Sequence, residues 1–450
     1  MNAPVMKNQD LVLTVESLTG EGQGVARVDG FVIFIPGALG GETVEAHVIK
    51  VTSGYAIAKL LRVITPSGER VVPACPVYEA CGGCTLQHLS YPAQLRLKRQ
   101  QVVDALTRLG GLRDPLVEET CGMEDPWRYR NKGSFPLGSA QGTVSYGLFS
   151  MRSHRLVPVK DCLIHQASIN RVADLVQRWA NACHVSAYDE QAHKGLLRHV
   201  MARTTANGEV MAVLVTTSAD IPHREELIKL LSFCASIYVN VNKARTNVIF
   251  SYEPGAFRLL SGRAQLYEEL CGLQFAVSPQ SFLQVNHAQT ERLYRYAVSL
   301  LAPKETETVL DGYCGVGTIS LLMASSAGRV IGIEQVREAI IDAAANAKRN
   351  GLANTTFYAG NMEDLLPTLQ DRLDAAVIDP PRKGCDVAVL EALAGRQDLD
   401  RIVYVSCNPS TLARDVKILV EKGFSLISAK PFDMFPQTGH IETVALLSRM

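Results

Sequence analysis

The first 66 residues alternate apolar and polar positions in short runs, and glycine-rich segments separate these runs. This period of two predicts strands with tight turns between them. The pattern is carried by five runs, LVLTVESL, GVARV, FVIFIPGAL, ETVEAHVIKV and YAIAKLLRVI. Five short strands in so little chain predict a small closed β barrel of the oligonucleotide-binding kind. Barrels of this kind bind nucleic acids. This one is not basic, so the alternative is that it serves only as a structural appendage.

Residues 276–450 follow a different pattern, in which short apolar runs alternate with helical segments. The predicted strands are TVLD, RVIGIE, TTFYAGN, DAAVID and RIVYVSC. Mostly apolar strands suit a parallel sheet that is covered on both faces, so the alternation predicts a doubly wound α/β domain. The last two strands, FSLISAKPFDMF and ETVALLSR, have no helix between them, which predicts an antiparallel closing hairpin.

Residues 67–275 form a predicted central α+β domain. An amphipathic helix over about 91–110 ends at a pair of glycines, and we expect it to pack on the domain at 276–450. The stretches 126–160 and 191–208 contain no acidic residue. They are either a solvated charged surface or an RNA-binding groove. The groove would use the basic and aromatic residues Arg128, Arg130, Lys132, Arg152, Arg155, Lys160, Lys194, Arg198, Arg203, Trp127, Tyr129, Phe135 and Tyr146.

Composition narrows the class of protein. A chain of 450 residues predicts about three domains, and 47% apolar with 20% charged residues argues against disorder. Lys plus Arg equals Asp plus Glu, 45 of each, so net charge alone predicts no polyanionic partner. No apolar run is long enough to span a bilayer, and the first residues lack the pattern of a signal peptide. Eleven cysteines do not suggest a disulfide framework, so we expect a cytoplasmic protein.

A nucleoside-binding pocket is predicted where the first strand of the α/β domain ends. The turn DGYCGVGT carries three glycines, which let backbone amides approach a ligand at the start of the next helix. Glu334 ends the second strand, where a carboxylate can accept the hydroxyls of a ribose. Asp379 ends a later strand and is followed by two prolines. NAD remains possible on this pattern, but the paired prolines favour a methyltransferase.

Cys407 is a candidate nucleophile between a strand end and a helix N-terminus. We expect the helix dipole to lower the pKa of its thiol, although a buried and inert cysteine is the ordinary alternative. Beside a methyl donor, a thiolate can add to carbon 6 of uracil and so make carbon 5 nucleophilic. A base must then remove the carbon 5 proton. Glu442 heads an apolar strand, and burial there would raise its pKa toward the range that such a base needs.

Three cysteines close together in the central domain predict a metal site. Cys75, Cys81 and Cys84 have the spacing C-x5-C-x2-C, which differs from the C-x3-C-x2-C of radical enzymes that cleave S-adenosylmethionine. Cys162 is the expected fourth ligand. Four thiolates suit zinc and iron–sulfur equally, and the residues by themselves leave the two open.

The motifs SFLQVN, DGYCGVGT, GIE, IDPPRKG and VSCNPSTLARD occur in that order. With these motifs the chain closely resembles the bacterial 23S rRNA (uracil-5-)-methyltransferases, which use S-adenosylmethionine. The resemblance extends over its whole length. The resemblance implies a TRAM domain at 1–66, an iron–sulfur domain at 67–275 and a Rossmann-like methyltransferase domain at 276–450. It implies Cys407 as nucleophile, Glu442 as base and a [4Fe–4S] cluster on the four cysteines. The implied pocket for the cofactor and target base has Gln284, Tyr313, Glu334 and Asp379, with Thr318 and Asn361 as further contacts.

The resemblance also ranks the possible substrates. Transfer-RNA members of the family usually lack the barrel and the cysteine cluster, so large-subunit ribosomal RNA is the expected partner and transfer RNA the alternative. A cytosine-C5 methyltransferase would place its nucleophile after proline, whereas Cys407 follows Ser406. Methylation of an exocyclic amine would need an aromatic residue where Arg382 stands. A different class is a non-catalytic RNA-binding iron–sulfur protein. No feature of the sequence demands an oligomer, so a monomer is expected.

Overall fold

The computed structural model describes residues 3–140 and 142–449. Within residues 3–66, a six-stranded sheet closes into the barrel, in the order β1-β5-β6-β4-β3-β2. Its strands are β1 Asp10–Thr14, β2 Ser17–Leu18, β3 Gln23–Val28, β4 Phe31–Pro36, β5 Thr43–Val51 and β6 Tyr55–Thr65. The first predicted strand is divided in two because the chain changes partner. The amide of Val15 donates to Glu42 beside β5, whereas the amide of Glu16 donates to Val25 on β3.

The barrel is held firmly against the rest of the molecule. Glu42 is fully buried and forms an ion pair with Arg70, which lies beyond the last barrel strand. Leu39 of the barrel packs in one cluster with Leu86 and Leu89. These contacts fix the orientation of the barrel, because a buried ion pair and a shared apolar cluster both break if the barrel swings away.

The central region contains a second sheet, on which the helix Ala167–Ala182 packs. Over the described residues 67–262, its strands are ordered β13-β12-β11-β10-β7-β8-β9. They are β7 Lys132–Ala140, β8 Thr143–Phe149, β9 Leu156–Pro158, β10 Leu197–Thr204, β11 Val210–Thr216, β12 Ser236–Val241 and β13 Phe257–Gly262. The helices of this region are α1 Tyr91–Arg108, α2 Ala167–Ala182 and α3 Arg224–Leu230.

The aromatic residues of the acid-free stretch lie in the core of this region, not in a groove. Tyr129, Phe135 and Tyr146 are at most 4% exposed and pack with Trp179 of α2. The interpretation that these side chains interleave with cations on an open RNA surface is therefore wrong for these three. Their hydrophobic burial outweighs any advantage of an exposed stacking face.

Two of the predicted surface arginines are also structural. Arg198 donates to the carbonyls of Asn242, Ala244 and Thr246, and it thereby shapes the loop after β12. Arg203 is 4% exposed and donates to the carbonyls of Ser278 and Ser281. Both guanidinium groups satisfy backbone oxygens, so neither presents a free cation to a nucleic acid.

A hairpin and a doubly wound sheet form the last part of the chain. The hairpin strands are β14 Leu266–Leu270 and β15 Leu273–Val277. The sheet strands are β16 Thr308–Gly312, β17 Arg329–Glu334, β18 Thr355–Ala359, β19 Ala375–Ile378, β20 Arg401–Ser406, β21 Phe424–Phe432 and β22 Glu442–Arg449. The helices are α4 His287–Leu301, α5 Thr318–Ala324, α6 Arg337–Arg349, α7 Met362–Leu365, α8 Val387–Gly395 and α9 Pro409–Glu421. A short 3-10 turn follows α7 at Leu366–Thr368.

Strand order in this sheet is β18-β17-β16-β19-β20-β22-β21. The strands β16 to β20 are parallel, and β22 pairs antiparallel with both β20 and β21. The prediction of an antiparallel closing hairpin is confirmed, and β22 lies inside the sheet instead of at its edge. Because the carboxyl ends of the parallel strands share one edge, β22 brings its amino end to that same edge.

The helix α1 packs on this sheet domain. Val102 and Leu106 join a core cluster with Leu412 and Val416 of α9. The face of α1 that the structure buries also includes two polar residues, Gln94 and Lys98. None of the helices among the described residues is long and apolar enough to cross a membrane.

Candidate active site

The carboxyl edge of the large sheet collects most of the predicted site residues. Strands β16, β17 and β19 end at Gly312, Glu334 and Ile378, so the residues Tyr313, Glu334 and Asp379 lie side by side. The amide of Asp379 donates to the carbonyl of Gly312 at 3.2 Å. A parallel sheet offers its ligand site at this edge because the connections to the helices leave a crevice there.

The glycine-rich turn after β16 is shaped by left-handed backbone. Tyr313, Gly315 and Gly317 have φ angles of 66°, 53° and 84°. The amide of Gly315 donates to Glu334 Oε2 at 3.3 Å, and the amide of Val336 donates to Glu334 Oε1 at 2.9 Å. Glu334 is thus held by two backbone amides, and its remaining lone pairs can accept ribose hydroxyls. Space for a Cβ is open at Gly315, so a ligand can approach the backbone there.

Two carboxyls beside this turn have raised pKa values, that of the buried Asp311 and that of the partly exposed Asp379. Burial raises the pKa of Asp379 to about 7. Burial, together with the nearby Asp379 and Glu334, also raises the pKa of Asp311 to about 7, against a hydrogen bond from Ser320 that lowers it. Both groups therefore change charge near neutral pH. Asp311 was absent from the predicted ligand set, since a carboxylate at a strand end is common and only its burial distinguishes it.

The remaining predicted pocket residues lie around the same edge. Thr318 begins α5 and contacts the buried Tyr294 of α4. Burial raises the pKa of the Tyr294 hydroxyl, and the nearby carboxyls of Asp379, Glu442 and Asp311 raise it further. Gln284 lines a pocket of about 260 Å³ with Tyr294 and Asn131. Asn361 caps α7 beside the end of β18 and donates to Asp364 at 2.9 Å. The structure thus places all six predicted pocket residues at or beside one edge.

Cys407 and Glu442 face each other across two strands. The ladder between β20 and β22 ends where Ser406 pairs with Thr443, and Cys407 and Glu442 follow directly beyond that pair, close enough for the Glu442 carboxyl to act on the Cys407 thiol. Glu442 is 5% exposed, and burial and the nearby Asp379 raise its pKa well above the ordinary value. The prediction that burial raises the pKa of Glu442 is confirmed in direction.

The expectation of a lowered thiol pKa is wrong for the free protein. Burial raises the pKa of Cys407 to about 11, and the carboxyls of Glu442 and Asp379 act in the same direction. Arg382 opposes them, but it does not overcome both effects. Local sequence shows the helix N-terminus, whereas the burial of the thiol and the two carboxyls from other strands come from the tertiary structure, and together they outweigh the helix.

Arg382 is a further functional candidate, which in the sequence alone argues only against amine methylation. Its charge lowers the pKa of both Cys407 and Glu442. Its guanidinium lies 3.2 Å from His440 Nδ1, and its carbonyl accepts from Asn408 Nδ2 at 3.4 Å. The only earlier signal was its place after the paired prolines, since no local pattern shows which groups it meets.

The loop that carries Arg382 is supported by a buried carboxylate of α9. Asp415 accepts hydrogen bonds from the amide of Cys385 at 2.8 Å and from the hydroxyl of Tyr404 at 2.6 Å. Arg414 bridges the same carboxylate to the carbonyls of Lys383 and Cys385. The helix that follows Cys407 therefore also fixes the loop that carries Arg382.

The four predicted metal ligands line one pocket of about 370 Å³ in the central region, together with Tyr78, Gln87, Leu148 and Ile164. Burial raises the pKa of Cys84 to about 12, and the neighbouring Cys162, Cys81 and Cys75 contribute to the rise. In the part of the chain that the structure describes, no group of three or more His, Cys, Asp or Glu side chains is arranged to hold a metal ion. The thiols share a pocket, and the cluster stays a prediction.

A doubly wound sheet with this turn, this acidic strand end and this thiol–carboxyl pair defines the methyltransferase class. Residues 268–450 match the family model described as tRNA (Uracil-5-)-methyltransferase, and residues 4–61 match the TRAM domain. An RNA methyltransferase of Halalkalibacterium halodurans is 45% identical, covering 99% of this chain and 98% of its own length. One from Clostridium tetani is 44% identical, covering 99% and 97%.

The chain belongs to the RNA (uracil-5-)-methyltransferase family. The predicted enzyme class, the TRAM barrel and the methyltransferase fold are confirmed, and the non-catalytic alternative is not retained. A solved structure, the Pyrococcus abyssi tRNA (uracil-54, C5)-methyltransferase in complex with S-adenosyl-L-homocysteine, has 26% sequence identity and a TM-score of 0.80. That comparison covers 97% of this chain and 100% of the archaeal chain. RNA is the substrate class of the family.

Proposed function

We propose that this protein methylates carbon 5 of a uridine in large-subunit ribosomal RNA and takes the methyl group from S-adenosylmethionine. The observation that carries the proposal is the opposition of Cys407 and Glu442, beside Asp379 and Arg382, at the edge of a nucleoside pocket. A nucleophile and a protonatable carboxyl on facing strands match the two roles that methylation at this carbon requires.

The pocket around Glu334 fits the proposed donor. Its carboxylate is already oriented by the amides of Gly315 and Val336, which leaves lone pairs for two ribose hydroxyls. Asp311 and Asp379 supply negative charge beside the turn when they ionise, which favours a cationic ligand. The archaeal relative holds S-adenosyl-L-homocysteine, the product of the same donor. When bound, the donor supplies an electrophilic methyl group.

The residues of the chain divide the reaction between them. Cys407 Sγ gives its proton to solvent and, as the thiolate, forms a bond with carbon 6 of uracil, and the electron pair of the C5–C6 double bond becomes available at carbon 5. Arg382 stabilises the negative charge that develops, because its cation faces the thiol and the carboxyl. After carbon 5 has gained the methyl group, Glu442 takes the carbon 5 proton. The C–S bond then breaks, the double bond reforms and the thiol leaves.

The raised pKa values agree with this division of roles. A thiol with a pKa of about 11 is mostly protonated at neutral pH, so the free enzyme keeps its nucleophile unreactive. We infer that target binding brings the thiol into its reactive state, because a base seated between the strands displaces water and changes the charge around Cys407. Glu442, with its pKa raised, binds a proton strongly enough to serve as a base toward carbon 5.

Cys75, Cys81, Cys84 and Cys162 are proposed to hold a [4Fe–4S] cluster. Four thiols on one pocket are a complete ligand set for such a cluster, and the other lining residues named above are mostly apolar. The amide of Gly83 donates to Cys81 Sγ at 3.4 Å, a contact that also suits a thiolate ligand. The cluster would cross-link two segments 78 residues apart in sequence, Cys84 and Cys162, and thereby stabilise the fold.

Transfer RNA is the second candidate substrate. The matching family model is described by a tRNA activity, and the archaeal relative modifies uracil 54 of tRNA. Ribosomal RNA remains the proposed target because the chain has a TRAM barrel and four cysteines on one pocket, the combination that the resemblance noted above associates with the ribosomal enzymes. Action on ribosomal RNA implies a cytoplasmic location, and the proposed site is complete within one chain, as a monomer requires.

The test is mass spectrometry of unmodified ribosomal and transfer RNA transcripts after incubation with the protein and S-adenosylmethionine. We expect 5-methyluridine in one large-subunit fragment and none with Cys407→Ser. The same product in transfer RNA alone would replace the proposed substrate while keeping the chemistry. Intact activity of Cys407→Ser would refute the covalent mechanism. Absence of 5-methyluridine from all transcripts, with a folded protein and a loaded cluster, would refute the function.

A further inference from the structure

The loop Asp433–Ile441 joins β21 to β22 and ends at the proposed base. Phe432 pairs with Glu442 in the hairpin register, so this loop, which we call the base loop, closes directly on Glu442. Asp433 is fully buried although it carries a charge, and Gln437 is 3% exposed with a φ of 69°. A buried charge and a non-glycine residue in left-handed backbone are costly, and they persist only where the surroundings hold them in place.

Residues of α1 supply most of that support. Lys98 Nζ donates to Asp433 Oδ1 and to the carbonyl of Phe435, and the Lys98 and Asp433 side chains have 0% exposure. Tyr91 Oη donates to Asp433 Oδ2 at 2.8 Å. Gln94 exchanges two hydrogen bonds with Gln437, at 3.0 and 3.1 Å. Residues 91, 94 and 98 have the spacing of one helix face, so a single surface of α1 contacts the base loop.

Other parts of the molecule meet the same loop. The amides of Thr85 and Leu86, directly after Cys84, each donate to the carbonyl of Gln437 at 3.0 Å. Asn286, the N-cap residue of α4, donates to the carbonyl of Met434 at 3.1 Å. A Cβ added to Gly439 would lie 2.1 Å from the carbonyl oxygen of Gly20 in the barrel. The loop therefore contacts the barrel, the cysteine segment, α1 and α4.

We infer that Lys98, through its ion pair with Asp433, is a positioning residue that holds the base loop so that Glu442 can take the carbon 5 proton. This inference rests on the proposed function, since it assigns the step that depends on Glu442. Lys98 acts through Asp433 and does not touch the substrate. A stable helix does not need this ion pair, because an apolar residue at the fully buried position of Lys98 would pack well. Its charge is explained by the loop that it holds.

The test uses the full-length holoenzyme with the double substitution Lys98→Met and Asp433→Asn. Both charges are removed together, so neither remains buried without its partner. The readout is the lifetime of the covalent protein–RNA adduct on denaturing gels, with an unmodified large-subunit rRNA transcript and S-adenosylmethionine. We expect adduct decay to slow at least tenfold and kcat to fall equally, while KM and the Kd for the transcript stay within twofold.

A matched control uses a partly buried ion pair on the same sheet but away from the base loop. Arg401 begins β20, whose other end leads to Cys407, and it pairs with Glu307. Glu307→Gln weakens that pair and the stability of the sheet, and we expect adduct decay to match wild type. If the control slows decay as much as the double variant does, the effect is general loss of stability and the inference is overturned.

Two further variants separate the possible failures. Glu442→Gln must prolong the adduct; if it does not, the base assignment in the proposed function fails, and the inference fails with it. If Glu442→Gln prolongs the adduct but the folded double variant decays like wild type, only the inference fails. Tyr91→Phe removes one hydrogen bond to Asp433 and keeps the ion pair, so it serves if the double variant does not fold. We expect it to slow decay about threefold, and a wild-type rate would overturn the inference.

Discussion

The raised pKa of Cys407 gives a sharp prediction about how its reactivity depends on pH. With a pKa of about 11, the thiolate fraction at pH 8 is about one in a thousand, against about one in ten for a thiol of ordinary pKa 9. Only the thiolate reacts with a small electrophile, and Cys407 is mostly protonated below its pKa. Its reactivity therefore rises with pH. We expect about a tenfold increase for each pH unit between 7 and 9.5, without a plateau.

The rate of Cys407 relative to that of an ordinary thiol follows from the same pKa of about 11. A more basic thiolate is intrinsically more nucleophilic, with a Brønsted coefficient of about 0.45, so two pKa units raise its attack rate roughly eightfold. This gain offsets part of the hundredfold loss in thiolate fraction. At pH 8, Cys407 of the free protein should therefore react about tenfold more slowly than an ordinary thiol. Its partial burial slows the reaction further without changing the slope with pH.

The assay is labelling with 2,2′-dithiodipyridine in the absence of RNA and donor, followed by peptide mass spectrometry to isolate Cys407. Cys183, a half-exposed thiol at the end of α2, reports on reagent and protein integrity in the same digest. Cys407→Ser identifies the peptide. A plateau with a midpoint below pH 8.5 would refute the reasoning, because it would mean that the helix N-terminus and Arg382 outweigh burial and the two carboxyls.

Three further results are expected from other parts of the site. Glu334→Gln should weaken binding of S-adenosylhomocysteine about tenfold in calorimetry, because charge-assisted hydrogen bonds to the ribose contribute about 1.5–3 kcal/mol, and unchanged affinity would remove Glu334 from the pocket. Asp415→Ala should lower the free energy of unfolding by about 3 kcal/mol in urea titrations, since it leaves Arg414, Tyr404 and the Cys385 amide without their acceptor, and a loss below 1 kcal/mol would contradict this account. Removing iron with a chelator should lower both Tm and RNA affinity, and unchanged RNA binding would make the cluster irrelevant to recognition.

The base loop bears on how the parts of the enzyme work together. Thr85 and Leu86 follow the proposed cluster ligand Cys84 directly and donate to Gln437, five residues before Glu442. The proposed cluster is therefore connected to the proposed base through backbone hydrogen bonds and one short loop. This connection gives the cysteine pocket a structural relation to the active edge, although the pocket itself contains no proposed reacting group.

The sequence by itself determined the elements of the sheet domain and the residues at their ends. Strands β16, β17, β19 and β20 are buried on both faces, so their apolar runs are clear, and glycine or proline stands at the turns after β16, β19 and β20. Residues at the carboxyl ends of parallel strands must share an edge, which is why Glu334 and Asp379 could be placed together in advance. Local pattern suffices wherever burial and turn chemistry agree.

Only the tertiary structure decided the relations between distant segments. The register of β22 against β20 brings Glu442 close to Cys407, 35 residues earlier, and burial together with this carboxyl raises the thiol pKa that the local helix was expected to lower. Packing likewise turned the aromatic residues of the central stretch into core and buried Lys98 on a helix whose pattern suggests a charged surface. The reason is physical: burial and electrostatic fields depend on which groups meet in space, and a single sequence shows only which groups are neighbours along the chain.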